Sequence, residues 1–391
     1  MIPDRIENAE WLVRPAVQTI FAVLGGAEGQ TRAVGGAVRD GLIGRTREHA
    51  DIDMATELLP VSVMQKAKAA GIDAYPTGIE HGTVTLRLED TTVEVTTLRQ
   101  DVVTDGRHAQ VQFGTDWVAD AERRDFTLNA LYCHADGTLF DPLKGVGDLV
   151  NGRVRFIGDA ARRIAEDGLR VYRFFRFSAS HGGEQFDPEG LDACRDAAEE
   201  IDHIARERVG AEMMRMLALP RVAQTLGVMD KLGLLCIEPG AAAALLRYET
   251  LGGQTATARL ALMGREGLER RQGEWRLSKA IMTHADHIAE AAQLLRQGDI
   301  GWAAYRFGED AVEGLAVAAA EEAWPREQLA EIARDLGRLP VAPLPVSGAD
   351  LEAKGMKPGP DMGAALAIME RAWVESEFSL GKAALLERIF H

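Results

Sequence analysis

Apolar positions recur at helical spacing over residues 10–25, and from there the chain alternates between two textures. TRAVGG (31–36) predicts a short strand running into a glycine turn, and AVRDGLIG after it predicts a helix. ADIDMAT predicts a second strand and VSVMQKAKAAG a second helix. GTVTLRLEDTTVEVTTLR predicts two strands around a turn at Glu89 to Thr92. Beyond about residue 150 the alternation of apolar and polar positions nearly vanishes. ARRIAEDGLRVYRFFRFSA, IARERVGAEMMRMLAL and AIMERAW all carry the helical period instead. The pattern therefore predicts a mixed α/β head followed by an all-helical remainder. The proline-rich stretch LPVAPLPVSG (339–348) reads as a linker to a last helical piece, and there is no repeat at a fixed period.

A chain of 391 residues exceeds what one ordinary core supports, so more than one domain is expected. With 46% hydrophobic and 27% charged residues the composition is globular. A net charge of −16 excludes a protein that coats nucleic acid indiscriminately, because such binding requires Lys and Arg to displace counterions from phosphates. It leaves room for a local basic face. Asn151 to Arg176 holds seven arginines against three acids, and acid elsewhere would confine an anionic partner there. Cys133, Cys194 and Cys236 are widely spaced, which fits buried, inert thiols in a reducing compartment. The first residues lack the basic-then-apolar order of a secretory signal, and no apolar run approaches the roughly 18 residues of a membrane span. The expectation is a cytoplasmic protein with no membrane and no DNA partner.

On a strand, residues i and i+2 project to one side, so Asp51 and Asp53 would point together while Ile52 faces the core. Two such charges raise each other's pKa unless a cation lies between them. Hard oxygen ligands suit Mg²⁺, which takes one or two protein carboxylates together with substrate phosphates. Glu94, on another predicted strand, is a candidate third acid, and a two-ion site needs about that many ligands. The plain alternative is a solvated Asp-x-Asp on an edge strand. What sharpens the signal is Gly35–Gly36 upstream, where main-chain N–H groups can approach a triphosphate.

VGGAVRDGLIG with DIDMAT resembles the first motif of the nucleotidyltransferase superfamily, in the form found in class II CCA-adding tRNA nucleotidyltransferases and bacterial poly(A) polymerases. ERRDFTLNALY (122–132), DPLKGVGDL (141–149) and EDGLRVYRFFRF (166–177) are similar to the following blocks of that family. The C-terminal half resembles it more weakly, through IARERVGAEM and SGADLEAKGMKPGPDMGAAL. The resemblance implies a fold of α+β class: a polymerase β-like head (1–148), then a helical neck that selects the base (149–220), a helical body (221–338) and an RNA-binding tail (339–391). It implies CTP and ATP as substrates, two Mg²⁺ ions, and the tRNA 3′ end and acceptor arm as partner.

The resemblance assigns Asp51, Asp53 and Glu94 to catalysis, the first two to the metal, and Gly35, Gly36 and Arg39 to the nucleotide. It gives Arg124 to phosphate or sugar and Asp125 to the ribose hydroxyls; Asn129, four residues on, would share that face. Arg39 and Asp40 have the alternative of pairing with each other. Arg173, with its planar donor fork, is a candidate triphosphate clamp. Asp167 and Arg170, three apart on a predicted helix, would share a face. An ionised Asp only accepts hydrogen bonds and Arg only donates, which matches the exocyclic amine and ring acceptor of cytosine and adenine. Uracil and guanine would set a carbonyl oxygen against the carboxylate, leaving polar groups unpaired. An ordinary i, i+3 salt bridge is the bland alternative. Lys354 and Lys357 are candidate RNA contacts or simply a solvated turn.

The arginine-rich GRRFxLxHV segment typical of the poly(A) polymerases is absent, and GIEHGTVTLRL stands in its place. DVVTDGRHAQVQF (101–113) is similar to the loop of complete CCA-adding enzymes. Template-independent CCA addition to tRNA is therefore the expected activity. A-adding, CC-adding or poly(A) synthesis, and a catalytically silent RNA-binding scaffold, are the alternatives. HADH (284–287) superficially resembles a phosphohydrolase metal motif, but without an array of further ligands it reads as a surface helix.

Overall fold

The computed structural model describes residues 3–7, 9–45, 51–101, 111–201, 204–264 and 266–390. The chain divides into two compact units, Met1–His203 and Ile204–His391.

The first unit is built on a seven-stranded mixed sheet, ordered β3-β4-β5-β2-β1-β8-β9. Its strands are β1 Thr31–Val34, β2 Ile52–Thr56, β3 Asp73–Gly78, β4 Thr83–Leu88, β5 Thr91–Thr97, β8 Tyr132–Cys133 and β9 Leu139–Phe140; β6 Arg99–Asp101 and β7 Val111–Phe113 form a separate ribbon. β2 and β5 pair in parallel, and the other pairings are antiparallel. Alternation decides which way the sheet faces. Ile52, Met54, Val84, Leu86, Val93 and Val95 are buried on one side, where helices α2 Pro15–Val23 and α4 Pro60–Ala69 lie against the strands. The other side carries the polar members of the same strands.

The helix predicted over 10–25 is broken, into α1 Glu10–Val13 and α2. Arg14 between them is extended (φ −60°, ψ 128°), because Pro15 at the first position of α2 disfavours helical geometry in the residue before it. β3 has no strand-like alternation and contains Pro76, which the outermost position of the sheet tolerates because an edge strand can spare a donor.

α3 Gly36–Leu42 follows β1, and α5 Trp117–Glu122 is capped by Asp116, whose side chain accepts from the N–H of Val118 and of Ala119. After α6 Gly145–Val150 the unit continues through α7 Ala160–Glu166, α8 Leu169–His181 and α9 Pro188–Asp196. Phe126, Phe156, Phe174 and Phe177 form a ring cluster, with Phe126–Phe156 centroids 4.8 Å apart and Phe156 stacked on Phe174 at 5.5 Å. Contacts of this kind contribute about 0.5–1.5 kcal/mol each beyond burial. They fix α8 against the 122–132 segment.

The second unit is helical, from Arg206–Leu217 to Lys382–Glu387. Its C-terminal core gathers Leu351, Met369, Trp373 and Leu385, and Trp373 Nε1 donates to Ala342 O at 3.2 Å, tying down the proline-rich stretch. HADH lies on the helix Lys279–Arg296, where the rings of His284 and His287 stand 3.2 and 3.1 Å from the two oxygens of Asp310. Among the described residues no helix is long and apolar enough to cross a membrane. Cys133 and Cys194 are buried as expected, but Cys236 is exposed.

Candidate active site

One rung crosses all seven strands. Phe140, Tyr132, Val34, Asp53, Glu94, Thr85 and Tyr75 are successive register partners and share the polar side of the sheet. Asp53 thus stands directly beside Glu94, and beside the strand that ends in the glycine turn. Asp51, exposed, immediately precedes β2. Burial pushes the Asp53 carboxyl up to about 6, and the charge of Glu94 adds to this; Arg124 opposes it, and Asp51 raises it further. Among the described residues no three His, Cys, Asp or Glu side chains close to metal-holding spacing. Glu94 and Asp51 therefore act on Asp53 through their charge, which Arg124 partly offsets; their carboxylate oxygens are the donor type a divalent ion takes, but they are not closed around one.

Gly35 has φ 74° and ψ −128°, a conformation open to glycine, and a Cβ built there would stand 3.9 Å from Asp53 Oδ2. The turn is thus held over the carboxylate by the Val34–Asp53 pairing. Arg39 N donates to Gly35 O at 2.9 Å as the first turn of α3 closes, so the N–H groups of Gly36, Ala37 and Val38 lie ahead of the helical ladder.

Arg39 is buried. Its Nε donates to Asp40 Oδ1 at 2.9 Å and its Nη1 to Asn129 Oδ1 at 2.6 Å. Asn129 Nδ2 donates to Asp125 Oδ1 at 3.0 Å, and Arg173 Nε donates to Asp125 Oδ2 at 2.7 Å. Arg39, Asn129, Asp125 and Arg173, of which the sequence linked only Asp125 with Asn129, thus form one connected chain. His181 Nε2 lies 3.0 Å from Asp40 Oδ1, and its Nδ1 lies 2.7 Å from Ser180 Oγ. Burial brings the His181 ring down to about 4, so it is neutral at pH 7. Burial alone would raise Asp40, but its bond with His181 and the charge of Arg39 hold it well below the carboxylate range.

Arg124 is held by Asp120, a buried residue that the sequence reading missed. Asp120 Oδ2 accepts from Arg124 Nη2 at 3.0 Å and from the Tyr132 hydroxyl at 2.8 Å, while Oδ1 accepts from Arg123 Nε and Nη2 at 2.8 and 2.6 Å. Burial would raise this carboxyl, yet the charges of Arg124 and Arg123 bring it down. A signal existed: Asp120 precedes Arg123 and Arg124 by three and four residues, the spacing at which side chains meet on a helix. Asp40 and His181, 141 residues apart, offered none.

The expectation that Asp167 and Arg170 share one helical face is corrected. Asp167 is extended (φ −154°, ψ 102°), at the break between α7 and α8, and its Oδ1 accepts from Leu169 N at 3.1 Å. Asp and Gly favour a helix boundary over a helix interior. Arg170 is on α8, and its Nη1 donates to Glu166 Oε2 at 2.7 Å and to Arg163 O at 2.8 Å. Residues 102–110 of the loop expected over 101–113 lie outside the described residues. In the second unit, Lys354 and Lys357 are exposed in the turn between Gly348–Ala353 and Pro360–Glu375.

A mixed sheet with a Gly-Gly turn over a carboxylate rung is the head of a nucleotidyltransferase. Residues 31–155 match the poly A polymerase head domain, 185–245 the "Probable RNA and SrmB- binding site of polymerase A", and 257–389 the tRNA nucleotidyltransferase domain 2. The CCA-adding enzyme of Levilactobacillus brevis is 33% identical over 406 residues, covering 99% of this chain and 98% of that one. Mitochondrial CCA tRNA nucleotidyltransferase 1 of Danio rerio is 45% identical over 208 residues, 52% of this chain and 48% of the relative, so the match spans about half of that protein. The crystal structure of the Bacillus stearothermophilus CCA-adding enzyme in complex with CTP superposes with a TM-score of 0.78 at 28% identity, over 96% of this chain and 98% of that one. The chain belongs to the family of CCA-adding enzymes.

Proposed function

We propose that this protein adds C, C and A to the 3′ end of tRNA from CTP and ATP, without a template. The observation that carries the reading is the Asp53–Glu94 rung beneath the Gly35 turn. The terminal 3′-hydroxyl attacks the α-phosphorus, forming a new P–O bond. The bond to the bridging oxygen breaks, and pyrophosphate leaves with that electron pair. Glu94 takes the hydroxyl proton. Two Mg²⁺ ions, held by Asp51 and Asp53, would lower the hydroxyl's pKa and neutralise triphosphate charge.

The rest is binding and orientation. The Gly35–Gly36 turn brings backbone close to the triphosphate, and Arg124, already near enough to act on Asp53, meets a phosphate or the sugar. Asp125 accepts from the ribose, with Asn129 and Arg39 behind it. Asp167 accepts from the exocyclic amine of cytosine or adenine, and Arg170 donates to the ring nitrogen. Arg170 is presented by Glu166 rather than by Asp167 itself. Burial would raise Glu166, but its bonds with Arg170 and Arg163 bring it down.

We assign the transfer chemistry to 1–148, base selection to 149–220, a connecting body to 221–338 and RNA contact to 339–391, with Lys354 and Lys357 on the RNA. The match of 185–245 to an RNA-binding segment supports RNA contact in the helical part as well. The buried thiols of Cys133 and Cys194 fit a cytoplasmic enzyme.

The test is incorporation of each labelled nucleotide into tRNA lacking its 3′ end, with Mg²⁺, by the wild type and by E94Q. CTP and ATP are taken, UTP and GTP refused, and E94Q slows transfer by about 10²–10⁴-fold. Absence of incorporation by the wild type would leave an RNA-binding scaffold.

A further inference from the structure

An ionised carboxylate offers about four acceptor positions, two on each oxygen. At Asp125 all four are met by protein donors. Oδ1 accepts from Phe126 N at 2.8 Å and Asn129 Nδ2 at 3.0 Å, and Oδ2 has Arg173 Nε at 2.7 Å and Nη2 at 2.6 Å. The residue is buried. The carboxylate given the task of recognising a ribose hydroxyl therefore has no acceptor to give while Arg173 holds it.

The two sides of this arrangement are unequal. Phe126 N is backbone, and Asn129 is itself fixed by the buried Arg39. Arg173 is the more accessible partner: its side chain is 30% exposed, against 9% for Asp125, and its guanidinium lies 5.3 Å from the centre of the Phe177 ring. A triphosphate carries several negative charges against the single charge of Asp125, and Arg is a strong bidentate ligand for either.

We infer that Arg173 and the sugar compete for Asp125 Oδ2, so that ribose selection is switched on by the triphosphate. The incoming phosphates draw Arg173 away from Asp125. Oδ2 is thereby released and accepts a hydrogen bond from the 2′-hydroxyl. A deoxynucleotide draws Arg173 away equally but leaves the released oxygen unpaired in a buried site, which a binding site rejects strongly. The inference rests on the nucleotide reading above and adds to it an order of events and a second role for Arg173.

Equilibrium dialysis of labelled CTP and dCTP against the full chain in Mg²⁺ reads the selection without turnover. The wild type is expected to prefer CTP by about tenfold or more, and D125N to bring that preference close to one. R173Q weakens both nucleotides by about tenfold or more, yet keeps their ratio within about twofold of the wild type, because Oδ2 is already released. R173K, which keeps a charge but not the fork, behaves likewise and serves where R173Q does not fold. Collapse of the ratio in both Arg173 variants, as in D125N, would overturn the inference: Arg173 would then be a fixed support of Asp125. A wild-type ratio near one, or an unchanged ratio in D125N, overturns it as well, with CTP binding and the wider reading intact. A wild type that binds neither CTP nor ATP overturns both.

Discussion

Asp53 and Glu94 are register partners across the parallel β2–β5 pairing, so two acids share one rung of the sheet with Val34 and Tyr132. The electrostatics follow from that adjacency. Burial and the charge of Glu94 take Asp53 from an ordinary 3.8 up to about 6.

A raised carboxyl lowers stability once it ionises. Between about pH 4 and 6 the native state keeps a proton that the unfolded chain has lost, so stability falls as pH rises through that window. A shift of this size corresponds to no more than about 3 kcal/mol, and solvent screening reduces it to about 1–2 kcal/mol. Urea unfolding in EDTA should show the fall as a wild-type-minus-D53N difference that moves against the wild type as pH rises from about 4 to 6, since His181 titrates in the same window with the opposite sign. D53N should be more stable at pH 7 while losing transfer activity, and Mg²⁺ should restore stability to the wild type alone. A wild-type-minus-D53N difference that does not change with pH would show that Asp53 keeps an ordinary carboxyl in the folded protein.

Asp120 is the shared anchor of Arg123 and Arg124. D120N leaves both guanidiniums without their counter-charge at a buried carboxamide. The expected loss is about 2–4 kcal/mol in urea unfolding, with KM for CTP raised more than kcat is lowered. Equal effects on the two constants would argue against Arg124 as a binding group.

Gly35→Ala tests the turn rather than the space, since the nearest atom to the new methyl is 3.9 Å away. Forcing φ 74°, ψ −128° on alanine costs about 1–3 kcal/mol, or shifts the turn off Asp53. Either stability falls by that amount or KM for both nucleotides rises; a variant unchanged in both would contradict the proposed close approach of the backbone.

His181 has its native value, about 4, below its ordinary 6.5. Below about pH 6.5 the unfolded chain takes up a proton that the native state refuses, so this group's contribution to stability is lost as pH falls toward 4. H181Q, which keeps a donor for Asp40, should lose less stability than the wild type as pH falls from about 6.5 to 4, without abolishing activity. H181A should raise KM for CTP, through Asp40, Arg39 and Asn129.

Much of the head was legible because period-two alternation and paired glycines are strong local signals: β1, the turn at Gly35, β2, α4 and the β4–β5 hairpin all stand where the pattern puts them. Strands of two or three residues, such as β8 and β9, are too short to show a period, and their partners come from tertiary pairing. The break at Asp167 escaped because the apolar series Ile164, Val171 and Phe174 runs on through it while the backbone does not. Arg39, Asp125, Asn129 and Arg173 were each visible by residue type, but bonds spanning 90 and 48 positions were not. Cys236 was assigned to the interior on composition alone, and its surroundings leave it exposed.

The most direct measurement is the sequence added to the 3′ end of a tRNA that stops at its discriminator base, with CTP and ATP supplied together in Mg²⁺. The expected product is C, C and A in that order, then arrest, with none formed by D53N. A run of A on tRNA and unrelated RNA alike, a product limited to A or to CC, or addition undiminished in D53N would contradict it.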